Sequence, residues 1–202
     1  MPLILVLIGL IAFSQEVELD APWLTVYDPE GNPRWEVSLG RLCKTDSGWE
    51  GEGVEVRLYW KGELQITLRA DRLTADRLGR NWTLSGEVSG QAGELRISCR
   101  QADWGDGLTL TELAAEGEGL SLSAARAFWE EGSEVSLTEV RVESHGWSLE
   151  LAIAIYQLDS GYLTGQGAEI AGHGYLIQAE WLELHPEQGE LILKGAHLVP
   201  GA

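Results

Sequence analysis

The sequence predicts an all-β fold of stacked strand-turn-strand repeats, and three observations carry that prediction. Apolar and polar residues alternate over run after run, which is the side-chain period of a β-strand. The runs restart at a loose spacing of about 25 to 31 residues, the signature of a unit that buries its apolar face only by stacking on neighbours. The 202 residues include 25 Gly and 9 Trp, with glycines where the runs end.

The unit is plainest over residues 147–174, WSLELAIAIYQLDSGYLTGQGAEIAGHG. Trp147, Leu149, Leu151, Ile153 and Ile155 occupy every second position and are expected to share one face. Asp159-Ser160-Gly161 supplies turn chemistry, since Asp and Ser bond their own backbone and Gly accepts positive φ. Leu163, Ala168 and Ile170 mark the return strand, and Gly172 and Gly174 close the unit around His173. The plan also starts at Trp35, Leu64, Leu95, Leu120 and Tyr175. Its opening runs are Leu64, Ile66, Leu68; Leu95, Ile97, Cys99; Leu120, Leu122, Ala124; and Tyr175, Ile177, Ala179. Leu73, Trp104, Trp129, Tyr156 and Leu184 each lie nine residues beyond their opening residue. An odd offset puts a side chain on the opposite face, so a bulge or bend is expected in mid-strand. Turns are expected at Gly93, Gly119, Gly146, Gly174 and Gly201.

Taken in order, residues 3–13 are an unbroken apolar run, LILVLIGLIAF. As a helix they span roughly 17 Å, short of the roughly 30 Å hydrocarbon core. A signal-peptide core fits that length, with Ala12-Phe13-Ser14 as a small-x-small cleavage site, and a short or truncated membrane anchor is the alternative. Both export the rest of the chain. Residues 1–14 are therefore read as signal or anchor, 15–21 as an acidic connector, and 22–202 as one β domain without an internal linker. Within it, Leu24, Val26 and Tyr27 lead into the hairpin loop DPEGNP at 28–33. Residues 35–62 form a less regular first repeat.

The charge balance excludes one class of partner. With 14 Lys+Arg against 32 Asp+Glu, a formal net charge of −18, the surface repels phosphate backbones and nucleic-acid binding is not expected. Glu150, Glu180 and Glu183 alternate with apolar positions, as on a wet sheet face that resists edge-to-edge aggregation. No nucleophile elbow, phosphate loop, dinucleotide fingerprint or zinc-protease motif appears, so no catalytic residues, cofactor or metal are assigned. Asp103 and Asp106 lack the neighbouring ligands of a calcium loop and read as a turn. Glu130 and Glu131 read as solvated turn residues. His145 and His173, with Glu118 in the same place one repeat earlier, form a turn column, and His185 and His197 are scattered. A weak metal site on that column is the alternative to surface histidines. Cys43 and Cys99 are 56 residues apart. Cys99 is an inward position, and a disulfide in an oxidising compartment stays open. One sheet face is apolar in every repeat. That pattern fits a dry core between sheets and a groove for something apolar equally well.

Residues 22–104 resemble the LptC family of lipopolysaccharide-transport proteins. The resemblance lies in WLTVYDPEGNPRWEVSLGRL, then LRADRLTAD, WTLSGEVSG and LRISCRQADW. Residues 105–200 look like further repeats of the related LptA (OstA-like) type, as in ARAFWEEGSEVSLTEVRV and AEWLELHPEQGELILKGAHLV. The resemblance implies an open, V-shaped β-jellyroll of two antiparallel sheets in the periplasm, with no enzymatic activity and possible anchorage to the inner membrane. It implies passage of lipopolysaccharide or a related glycolipid along an apolar groove. The implied partners are inner-membrane ABC transporter components and another jellyroll domain joined by edge-strand pairing. The N-terminal run is shorter than a family anchor helix, and the repeats outnumber those of a minimal LptC domain. The expected groove lining is Leu64, Ile66, Leu68, Leu95, Ile97, Leu120, Leu122, Leu149, Leu151, Ile153 and Ile177. The competing readings are an exported structural or adhesive β-solenoid with a closed core, and a carbohydrate-active β-helix protein.

Overall fold

The computed structural model describes residues 18–144, 146–185 and 190–199. The N-terminal apolar run, His145 and Gly201 lie outside the described residues. The described residues form sixteen strands: β1 (Glu18–Asp20), β2 (Trp23–Tyr27), β3 (Pro33–Ser38), β4 (Arg41–Lys44), β5 (Gly48–Trp60), β6 (Glu63–Asp76), β7 (Trp82–Ala92) and β8 (Leu95–Trp104). There follow β9 (Leu108–Gly117), β10 (Leu120–Trp129), β11 (Glu134–Ser144), β12 (Trp147–Gln157), β13 (Leu163–Gly172), β14 (Tyr175–His185), β15 (Glu190–Lys194) and β16 (His197–Val199). They make one antiparallel sheet in which each strand from β5 to β14 pairs with its sequence neighbours, and the sheet does not close on itself. The stretch read as a connector contributes β1, whose Leu19 pairs with Leu42.

The short strands are halves of long ones. The first half of β5 pairs with β4 and its second half with β3, while β14 pairs with β15 and β16 in the same manner. Two-residue loops join the strands along one margin, at Gly62, Gly93, Gly119, Gly146 and Gly174, all with positive φ. At Lys61-Gly62 and His173-Gly174 both residues are left-handed, the turn whose twist matches flanking strands. Longer loops line the other margin, while the β2–β3 loop lies beside Gly62 on the tight-turn margin. In the β2–β3 connection Asp28 accepts the Asn32 backbone N–H and its side-chain amide, so DPEGNP folds as the expected hairpin loop.

The dominant feature is a crease across every strand. In β6 the buried residues are Ile66, Leu68 and Ala70, then Leu73; in β9 Leu108 and Leu110, then Leu113 and Ala115; in β12 Leu149 and Leu151, then Ala154. Two successive residues thus face out at the centre, such as Asp71 and Arg72, or Ala152 and Ile153. A strand can show two neighbours to solvent and keep its apolar set on one side only by bending around them. On alternate strands the bend residue is left-handed: Ala21, Gly53, Gly86 with Glu87, Glu112, Glu139, Gly167 and Gly195, with φ from 43 to 75 for the series. Register aligns them in one column, since Glu139 falls opposite Ala125 on β10 and Ala152 on β12. This is the bend that the nine-residue offset required.

The crease folds the sheet into two layers. The two sheets of the expected V are the two halves of a single creased sheet, and together they enclose one apolar cluster. No polar or charged residue is buried among the described residues. Inward positions beside the crease are filled by small residues such as Ala70, Ala124, Ala127, Ala154, Ala168 and Ala179 and by larger ones such as Leu73, Leu113, Val140 and Leu151, all buried. Left-handed backbone costs a residue with a Cβ roughly 1–2 kcal/mol that glycine escapes. Glu139→Gly, at φ 51, is therefore expected to raise stability by about 1 kcal/mol in urea unfolding. A loss of stability there would contradict the strained bend.

Candidate functional site

The interior is lined from both halves of each strand. Between the crease and the tight-turn margin lie Ile66, Leu68, Ile97, Leu149 and Leu151, all buried as the sequence pattern placed them. Leu95, Leu120, Leu122 and Ile177 are half-buried against the same cluster. Leu64 keeps the inward parity of Ile66 but sits at the rim, 52% exposed. Ile153 must be corrected. It is 51% exposed, and Ile155 beside it is exposed too, because the crease turns both outward and sends Ala154 inside.

The wall on the loop-margin side is absent from the expected lining. It holds Leu73, Trp82, Leu84, Trp104, Leu108, Trp129, Leu137, Leu163 and Leu182, each buried. The nine-residue offset of Leu73, Trp104 and Trp129 was the signal for it. Trp82 and Trp104 are register partners whose rings stack at 5.7 Å with an interplanar angle of 8°. The Trp82 indole N–H is buried without a partner.

The interior is uncovered at both ends of the sheet. Leu24 pairs with buried Val37 and is 50% exposed, and Leu19 is exposed beside Leu42. At the other end Leu198 pairs with Ile177 and is 62% exposed, with Leu191 exposed opposite Leu184. Inward of these rims the filling is complete, and Val56, Leu58, Leu68, Leu84 and Leu182 have no exposed surface.

Charge stays outside. Glu55 bridges Arg57 and Arg69, and the hydrogen bond from Arg69 leads in holding its carboxyl below the usual range. Near the C-terminal edge Tyr162 donates to Glu183, which His185 also contacts at 3.2 Å. That bond to a carboxylate pushes the Tyr162 phenol up to about 12. A shallow cleft of mixed lining, about 600 Å³, lies where small outward residues, Ser121, Ser148 and Ala171, follow Arg96 and Glu116 along one row. Cys43 and Cys99 are free thiols, and burial pushes Cys99 up to about 11. No group of three or more metal-ligating side chains assembles among the described residues. What the arrangement offers chemically is apolar contact.

No family model matches this chain, and no curated protein does. Among solved structures it is similar to LptH, the LptA-homologous periplasmic component of the lipopolysaccharide transport device of Pseudomonas aeruginosa. The identity is 10% and the TM-score 0.29, over 68% of this chain and 95% of that one. The superposition is loose.

Proposed function

We propose that the chain is a non-enzymatic periplasmic carrier. In this reading it passes lipopolysaccharide or a related glycolipid from an inner-membrane ABC transporter toward the outer membrane. The observation that carries it is the apolar interior, continuous along the sheet, without a buried polar or charged residue among the described residues, and uncovered at both ends. The LptC- and LptA-like succession of motifs in the sequence supports the same assignment. Each acyl CH₂ withdrawn from water contributes about 0.8 kcal/mol, so lipid is held without a dedicated polar pocket. The acidic exterior leaves an anionic head group in solvent. The edge strands β2 and β15 carry free backbone groups, and pairing them with another jellyroll domain would extend the interior. Residues 1–14 would deliver residues 22–202 across the membrane.

Native mass spectrometry of the protein purified from its cell envelope, with extraction of bound lipid, tests this. Co-purifying glycolipid is expected. In Leu122→Asp, which places a carboxylate on the half-buried inward wall, lipid occupancy is expected to fall at least tenfold while the circular dichroism spectrum persists. Protein that is lipid-free and takes up no added lipid would overturn the carrier. The interior, full at its centre, would then be the dry core of a structural solenoid.

A further inference from the structure

We infer that Arg34 is a clasp across the mouth of the creased sheet, and that its release admits an apolar chain to the interior. This inference rests on the carrier reading. Arg34 stands at the start of β3, on the tight-turn margin, where Trp35 pairs with Leu58. Its Nε donates to Glu131 Oε1, 97 residues away in the β10–β11 loop on the opposite margin. The guanidinium carbon also lies 5.6 Å from the centroid of the Trp104 ring, at the end of β8. The contact therefore joins the two layers on the side away from the crease.

Both halves of the clasp are positioned by their neighbours. Arg34 lies between the Asp28–Asn32 loop and buried Trp35. Trp104 is backed by the stacked Trp82. The loop bearing Glu131 is held by the Trp129 indole N–H, which donates to the Gly132 carbonyl at 2.7 Å. Elsewhere the layers are continuous through the ladder of hydrogen bonds. Here side chains alone bridge them.

The chemistry suits a reversible closure. The Arg34 and Glu131 side chains are 41% and 22% exposed, so water and salt reach the pair, and such pairs are weak and screened. The residues behind it, Trp35 and Leu58 among them, are buried, so a chain that is to pass beyond the uncovered ends into the filled interior must part the layers. Parting them at the crease would break backbone hydrogen bonds. Parting them at Arg34 breaks one ion pair and one cation–π contact, and the apolar contacts behind them are replaced by those of the arriving chain.

The test uses the full chain with Cys43→Ser, Cys99→Ser, Arg34→Cys and Glu131→Cys. One sample is bridged with a short bismaleimide, the other capped with N-ethylmaleimide, and both are checked by circular dichroism. N-phenyl-1-naphthylamine, which fluoresces in apolar surroundings, reports access. Uptake at least tenfold slower in the bridged sample is expected, as is several-fold faster uptake by Arg34→Ala than by the unaltered chain. Equal uptake in bridged and capped samples, or an Arg34→Ala rate unchanged from the parent, would overturn the clasp and leave the carrier intact. No uptake in any sample, with no lipid on the purified protein, would overturn both.

Discussion

Gly90→Val is expected to part β6 from β7 and cost on the order of 3 kcal/mol, the upper end of what overpacking a core costs. Gly90 pairs with Leu68 on one side and Ile97 on the other, at the centre of the inward wall. A Cβ there would lie 1.8 Å from the Thr67 carbonyl oxygen and 3.0 Å from Leu68 Cα. The obstacles are backbone, so no rotamer change relieves them. Glycine is needed at this site for space, since its φ is not left-handed. Gly93→Ala isolates the other reason for glycine. That residue has φ 58, and a Cβ added to it would meet nothing within 4 Å, so the change should cost only about 1 kcal/mol. Urea unfolding of the pair separates the effects, and equal losses would refute the close approach at Gly90.

Trp129→Ala is expected to cost about 3–5 kcal/mol, the range for deleting a buried indole. Trp129 is the largest side chain with almost no exposure. It fills the loop-margin wall, and its N–H closes the β10–β11 loop on Gly132. Trp129→Phe retains most of the volume and loses the hydrogen bond, so about 1 kcal/mol is expected from that loss. A Phe variant as unstable as the Ala variant would mean that the loop bond, not the packing, dominates.

Strand periodicity and hairpin glycines made the strands and their order legible in the sequence, because both depend on neighbouring residues. The bend was legible too, as an offset of nine between apolar positions. What alternation alone obscured was where each strand bends. In WSLELAIAIYQ the two bulky residues after Leu151 are Ile153 and Ile155, and hydrophobicity places them inside. The bend turns Ala154 inward instead, and the isoleucines face water. The two successive outward residues, Ala152 and Ile153, shift the inward parity by one, so the alternation that holds up to Leu151 points the wrong way beyond it. The same blindness hid Arg34, whose two partners, Trp104 and Glu131, are brought to it by the fold of the whole sheet.

The neighbour-to-neighbour order of the sheet has a mechanical consequence. With β1 and β2 at one edge and β15 and β16 at the other, tension applied to the two ends acts across the strands, not along them. Each strand would then peel from the next with its hydrogen bonds failing one after another. The molecule should lengthen in a sawtooth of small steps at low force, as a zipper does, and the most resistant teeth should be the longest pairs such as β5 with β6.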